Sequence, residues 1–183
     1  MRTTLTGAAV LSAAALALGL AGPANAALYG VDDPQDTFHG SDLRAVQVRN
    51  AEHKLVVTTV HDNLRRDPST GSAGSVYLDT DRSDKGPEFV FVGGYFEGTD
   101  YQLLYTDGFG HEKWGKPVDG RYRMTVDYKA ETVRMVMSRK AVGHPGKVRV
   151  AVRVSGTRTD GSSKGLVDWL GEPHSFTPWV ARG

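Results

Sequence analysis

A strict alternation of valine with polar residues, near the C-terminal end, constrains the fold more than any other feature. Over Lys147 to Ser155, Val148, Val150, Val152 and Val154 fall on one side of an extended chain, opposite Lys147, Arg149 and Arg153. Successive side chains of a strand point to opposite faces, so this pattern predicts a strand with one apolar and one polar face. Arg121 to Tyr128 repeats it, with Tyr122, Met124, Val126 and Tyr128 against Arg121, Arg123, Thr125 and Asp127. Thr132 to Ser138 does so again through Val133, Met135 and Met137. Strands dry on one face and wet on the other belong to antiparallel sheets.

Five more β-rich runs precede these. Asp42 to Arg49 and Lys54 to Asp62 are joined by Asn50-Ala51-Glu52-His53, a hairpin candidate. Ser75 to Thr80 and Glu88 to Tyr95 flank an acidic loop, and Asp100 to Thr106 ends in the turn pair Asp107-Gly108. Eight strands with short Gly, Asp and Pro turns predict an all-β chain, an antiparallel β-sandwich of jelly-roll or immunoglobulin-like type. One short helical turn is expected at Arg139 to Gly143, stopped before Pro145. Phe109 to Gly120 reads as a Gly-rich loop, and Ala27 to Ser41 as an acidic, turn-rich entry segment.

Residues 1–26 read as a signal peptide. Arg2 supplies the positive start, Leu5 to Leu20 is an uncharged Ala/Leu-rich run, and Ala24-Asn25-Ala26 is a small-x-small cleavage site. The run is short for a spanning helix, so cleavage is favoured over anchoring. Export to the extracellular space is the expectation, with residues 27–183 forming a single β-sandwich domain and no membrane span after cleavage.

Several classes of function are excluded or disfavoured. The chain has no cysteine, which removes disulfides, thiolate metal sites and cysteine nucleophiles. Its 22 Lys and Arg balance 21 Asp and Glu, so charge does not advertise nucleic acid as a partner. His39, His53, His61, His111, His144 and His174 show no zinc spacing. No GxSxG elbow and no nucleotide-binding glycine loop is present.

The one cluster with the look of chemistry is the loop after Leu78. Asp79, Asp81, Asp84 and Glu88 place four carboxylates around Gly86-Pro87. Hard cations take six to eight oxygens, so Ca²⁺ is the candidate cofactor here, against an ordinary solvated turn. Asp32, Asp33 and Asp36 would add oxygens only if an exposed segment folded back. Asp79 and Asp81 are too local to flank a sugar as paired catalytic acids.

Aromatics are the second lead. Tyr95, Phe109 and Trp114 are the candidate ligand contacts, because ring faces in loops and at strand ends stack on sugar rings. Trp169 and Trp179 are instead expected to plug the ends of the sandwich, and Met124, Met135 and Met137 to fill the core. Arg121, Arg123, Arg134, Arg149 and Arg153 could line one outer face and attract an anionic cell-wall polymer, or form a solvated face interspersed with acids.

Val76-Tyr77-Leu78-Asp79-Thr80-Asp81 running to Gly86-Pro87-Glu88-Phe89 resembles the DOMON-like β-sandwiches that include family-9 carbohydrate-binding modules. Asp168-Trp169 followed by Phe176-Thr177-Pro178-Trp179-Val180 is similar to the close of a group of secreted actinobacterial proteins of that type. The resemblance implies an antiparallel sandwich, a structural calcium in some members, and binding of sugars or haem. The combined expectation is a secreted, non-catalytic binding domain for carbohydrate or a cell-wall polymer. A hydrolase or an enzyme inhibitor on the same scaffold is the alternative.

Overall fold

The computed structural model describes residues 26–30, 42–157 and 165–183. Residues 1–25, which carry most of the expected signal peptide, lie outside them, as do Asp32, Asp33, Asp36 and His39. Among the described residues no helix is long and apolar enough to cross a membrane.

The described chain is all-β. Its strands are β1 (Ala26–Gly30), β2 (Asp42–Asn50), β3 (Lys54–Asp62), β4 (Ala73–Asp79), β5 (Phe89–Gly94) and β6 (Tyr101–Thr106). Then come β7 (Trp114–Pro117), β8 (Tyr122–Asp127), β9 (Thr132–Ser138), β10 (Lys147–Thr157), β11 (Gly165–Trp169) and β12 (Val180–Ala181). One sheet runs β1-β2-β3-β9-β8, and the other β11-β10-β4-β5-β6-β7, with β12 beside β10. Every pairing is antiparallel, and the two sheets pack as a sandwich.

All eight strands expected from the sequence are present. The valine ladder lies on the inner face as alternation demands, with Val148, Val150 and Val152 at 0% exposure. Val76, Leu78, Phe91 and Leu103 join it from the same sheet. Val46, Val48, Leu55, Val57, Met124, Val133, Met135 and Met137 meet them from the other. Burying such side chains is worth about 1.5–3 kcal/mol each, so this layer dominates stability. Tyr95 lies across Gly74 of β4 so closely that a Cβ there would stand 1.7 Å from the phenol oxygen.

The expected helical turn is a 3-10 turn, Arg139–Val142, closed by Gly143 in the left-handed region at φ 72°. Ser138 caps it, and the buried Arg139 guanidinium donates to the Asn50 side chain and the Pro145 carbonyl. Two further 3-10 turns, Pro68–Thr70 and His111–Lys113, were not legible in the sequence. Nor were four strands. β1 falls in the segment read as turn-rich, and β7 in the one read as a loop. β11 and β12 run along the free edge of β10, bridged by Leu170 donating to the Val152 carbonyl and Thr177 to that of Val150.

Candidate functional site

The site follows from an anomaly on the outer face of the second sheet. Alternation leaves Ala151, Tyr77, Val90 and Leu104 in one cross-strand row there, and the row is apolar. Such a row requires a cover. It gets one from the 107–114 segment and from residues 169–176. Phe109, Trp114, Trp169 and Phe176 pack down on it as a second, smaller core.

Phe109 is the hub of that cover. Its ring meets Tyr77 at 4.8 Å, His174 at 4.6 Å, Phe176 at 5.5 Å and Trp169 at 5.8 Å. Tyr77 Oη donates to the Phe109 carbonyl at 2.7 Å, which pins the loop. Burial pushes the Tyr77 phenol above its usual range, so it stays a donor. Trp114 opens β7 opposite Thr106 and stacks on His111 at 4.0 Å.

The cover does not close completely. A cleft of about 520 Å³ remains, lined by Phe109, Trp169, His174, His111 and the charged trio Glu112, Lys113 and Arg153. Arg153 sits opposite Trp169 across β10 and β11, so a guanidinium and an indole border the same floor. Aromatic walls with a few charged groups at the rim suit a small polar ligand carrying apolar faces. Glu112 is the sole carboxylate among the described lining residues, so the two opposed acids of glycoside hydrolysis are not built here.

Of the three aromatic residues expected to touch ligand, Phe109 lines this cleft and Trp114 braces it through His111. Tyr95 is placed elsewhere. It is at 0% exposure inside the main core, edge-on to His61 at 5.2 Å, with no surface to offer a ligand from solvent. Sequence reasoning missed Trp169, His174, His111, Glu112 and Arg153. Trp169 and Trp179, expected as end plugs, lie on this outer face. Parity did not signal it, because Trp169 shares the outer face with Val167 while the opposite face carries the half-buried Leu166 and the buried Asp168.

The acidic loop distributes its four carboxylates among separate protein donors. Asp79, also fully buried, pairs with Arg149, its register partner on β10. Nε and Nη2 donate to one carboxylate oxygen at 2.8 and 2.6 Å. Phe176 and Trp179 flank the guanidinium at 4.6 and 4.7 Å. Burial pushes the Asp79 carboxyl up, against the opposing pull of Arg149. Asp81 accepts from Ser83 N–H and Oγ, which hold its carboxyl below the usual range, and Asp84 accepts from Lys85 N–H. Glu88 accepts from Thr80 N–H and Oγ at 2.6 and 2.9 Å, while burial raises its carboxyl.

Each carboxylate is thus engaged by its own neighbour. Asp81, Asp84 and Glu88 share a cleft of about 650 Å³ with Asp107, but Asp79 faces Arg149 instead. Among the described residues no three His, Asp or Glu side chains converge as metal ligands.

No protein-family model matches the chain, and a search of curated proteins finds no match to it.

Proposed function

We propose that the chain is an exported, non-catalytic binding domain whose aromatic cleft takes a saccharide. The observation that carries this reading is the incomplete cover over the second sheet. Phe109, Trp169 and His174 offer ring faces to the C–H face of a pyranose, while Arg153, Glu112 and Lys113 stand where hydroxyls would project. The rings are held by one another and by the Tyr77 phenol, so little side-chain entropy is lost on binding. The resemblance to family-9 carbohydrate-binding modules supports the same class of ligand. Export is inferred from the arrangement of Arg2, the apolar run and Ala24-Asn25-Ala26.

A glycan array followed by calorimetry on the best hit tests the proposal. His174→Ala and Arg153→Ala remove lining groups without touching the main core. Both are expected to weaken binding about tenfold or more, Arg153→Ala at an unchanged melting temperature and His174→Ala, which loses its contacts with Phe109 and Trp169, at a slightly lower one. A protein that binds no glycan, or binds one equally well in both variants, refutes it.

The competing hydrolase reading draws on the other cleft. There Glu88, its carboxyl raised by burial, shares a wall with Asp81, Asp84 and Asp107. A carboxyl raised by burial with other carboxyls at hand is the pattern of a general acid. Release of reducing sugar by the wild type and its loss in Glu88→Gln would favour that reading.

A further inference from the structure

The arginines expected on one outer face are divided between two. Arg149 and Arg153 belong to the second sheet, and Arg149 is consumed by Asp79. Arg121, Arg123 and Arg134 belong to the first sheet, where the register adds two cations the alternation had not grouped with them. Arg49 of β2, Val56 of β3, Val136 of β9 and Arg123 of β8 form one row across the outer face. The row on one side is Gln47, Thr58, Arg134 and Thr125. On the other side stand Lys54 and Ser138, with Arg121 next in line, its carbonyl accepting from Ser138 N–H.

Five cations therefore share this face. Strands lie about 4.8 Å apart and alternate residues about 6.8 Å apart along a strand. Arg49 and Arg123 are thus separated by about 14 Å, with the other three between and beside them. Among the described residues none of the five has an ion-pair partner. The nearby carboxylates are occupied or peripheral. Asp127, on the last row, accepts from the Lys129 and Ala130 amides. Asp62 lies beside Arg44 at 3.6 Å, and Glu52 beside His53 at 3.9 Å. Lys54, Arg121 and Arg123 also rim a shallow hollow of about 290 Å³, floored by Val136, Ser138 and Tyr122.

Clustered like charges destabilise a fold unless something else uses them, and five unpaired cations attract a polyanion. A second copy meeting this face with its own would set cation against cation. Nucleic acid would want free aromatic rings for base stacking; of the two rings at the hollow, Tyr122 is engaged by Phe91 at 5.8 Å and Tyr101 at 6.3 Å, and the His53 imidazole lies beside the Glu52 carboxylate at 3.9 Å. The floor between the cations is aliphatic and hydroxylic, from Val56, Val136, Thr58, Thr125 and Ser138, alongside the Gln47 amide. That combination suits sugar rings bearing carboxylates. We infer that the outer face of the β1-β2-β3-β9-β8 sheet is a docking surface for an acidic polysaccharide, separate from the aromatic cleft.

Retention of the purified chain on immobilised polygalacturonate tests this, with neutral dextran and a single-stranded oligonucleotide as comparison probes. Binding to polygalacturonate but not dextran is expected, weakening steeply between about 50 and 200 mM salt. The triple variant Arg49→Glu/Arg123→Glu/Arg134→Glu should bind at least about tenfold more weakly. If that variant melts early, Arg123→Glu/Arg134→Glu, both on exposed positions, replaces it. His174→Ala should bind polygalacturonate like the wild type, which separates this surface from the cleft. No retention at about 50 mM salt, or retention unaltered by charge reversal, overturns the inference. So does an oligonucleotide bound as tightly as polygalacturonate.

Discussion

Replacing Arg149 by methionine isolates the largest electrostatic commitment in the molecule. Asp79 has a side chain at 0% exposure, and its partner Arg149 is at 31%. Removing one member of a buried pair leaves the other uncompensated and costs about 3–5 kcal/mol. Because Arg149 reaches solvent, the lower end applies, about 3 kcal/mol. Methionine keeps the contacts with Phe176 and Trp179 through its thioether, so the loss is chiefly electrostatic. For a chain of this length, that lowers the melting temperature by about 6–12 °C in calorimetry. The double variant Asp79→Leu/Arg149→Met removes both charges and should return to within about 1 kcal/mol of wild type. The single loss should also depend on pH. Without Arg149 the Asp79 carboxyl in the folded protein rises still further above its unfolded value of 3.8. Stability is then full below that value and falls as pH climbs through the raised one, so Arg149→Met should recover as the medium is acidified. A shift below about 2 °C, or a double variant whose loss equals the sum of the singles, would refute the reasoning.

Three further outcomes are expected. Glu88 sits above its unfolded value of 4.5, so its contribution is complete below that pH and fades as pH rises through the folded value. Glu88→Gln, which can still accept from Thr80, should flatten the fall in melting temperature from pH 4.5 toward neutrality, and an unchanged slope counts against the assignment. Because Arg149 holds one oxygen of the buried Asp79, and Asp81, Asp84 and Glu88 each accept from a protein donor, millimolar Ca²⁺ or chelator should leave the melting curve in place. A rise of several degrees would show that the loop rearranges around the ion. N-terminal sequencing of protein from the medium should begin at Ala27, leaving Ala27 to Gly30 of β1 paired with β2, whereas intact Met1 in a membrane fraction would sink the export reading.

How much the sequence conveyed depends on whether a signal is local. The eight long strands were legible because side-chain parity repeats within six to eleven residues, and the same parity marked Val148 through Val154 as core. β7 and β12 carry no such record. They hold four and two residues, and are strands because Leu104, Thr106, Lys147 and Val148 present free edges to them. Parity also says which residues share a face without saying what covers that face. Lys147 to Ser155 promised a wet outer surface, yet Ala151 lies under the aromatic cover and Arg149 under Phe176 and Trp179.

The acidic loop shows the same limit in charges. Four carboxylates were visible, but the cation that decides the role of Asp79 lies 70 residues away on a strand that pairs with it only after folding. A cluster of acids in one turn is therefore as consistent with a buried ion pair plus local turn bonds as with a metal site. The difference lies in which strand passes beside it. By the same logic, the one outer face of arginines divides into a paired half and an unpaired half once register is known. Arg149 spends its charge on holding the fold, whereas Arg49, Lys54, Arg121, Arg123 and Arg134 remain available to a partner. Register, which one-residue steps along the chain cannot specify across distant strands, thus separates the charges that stabilise this sandwich from those that can serve its function.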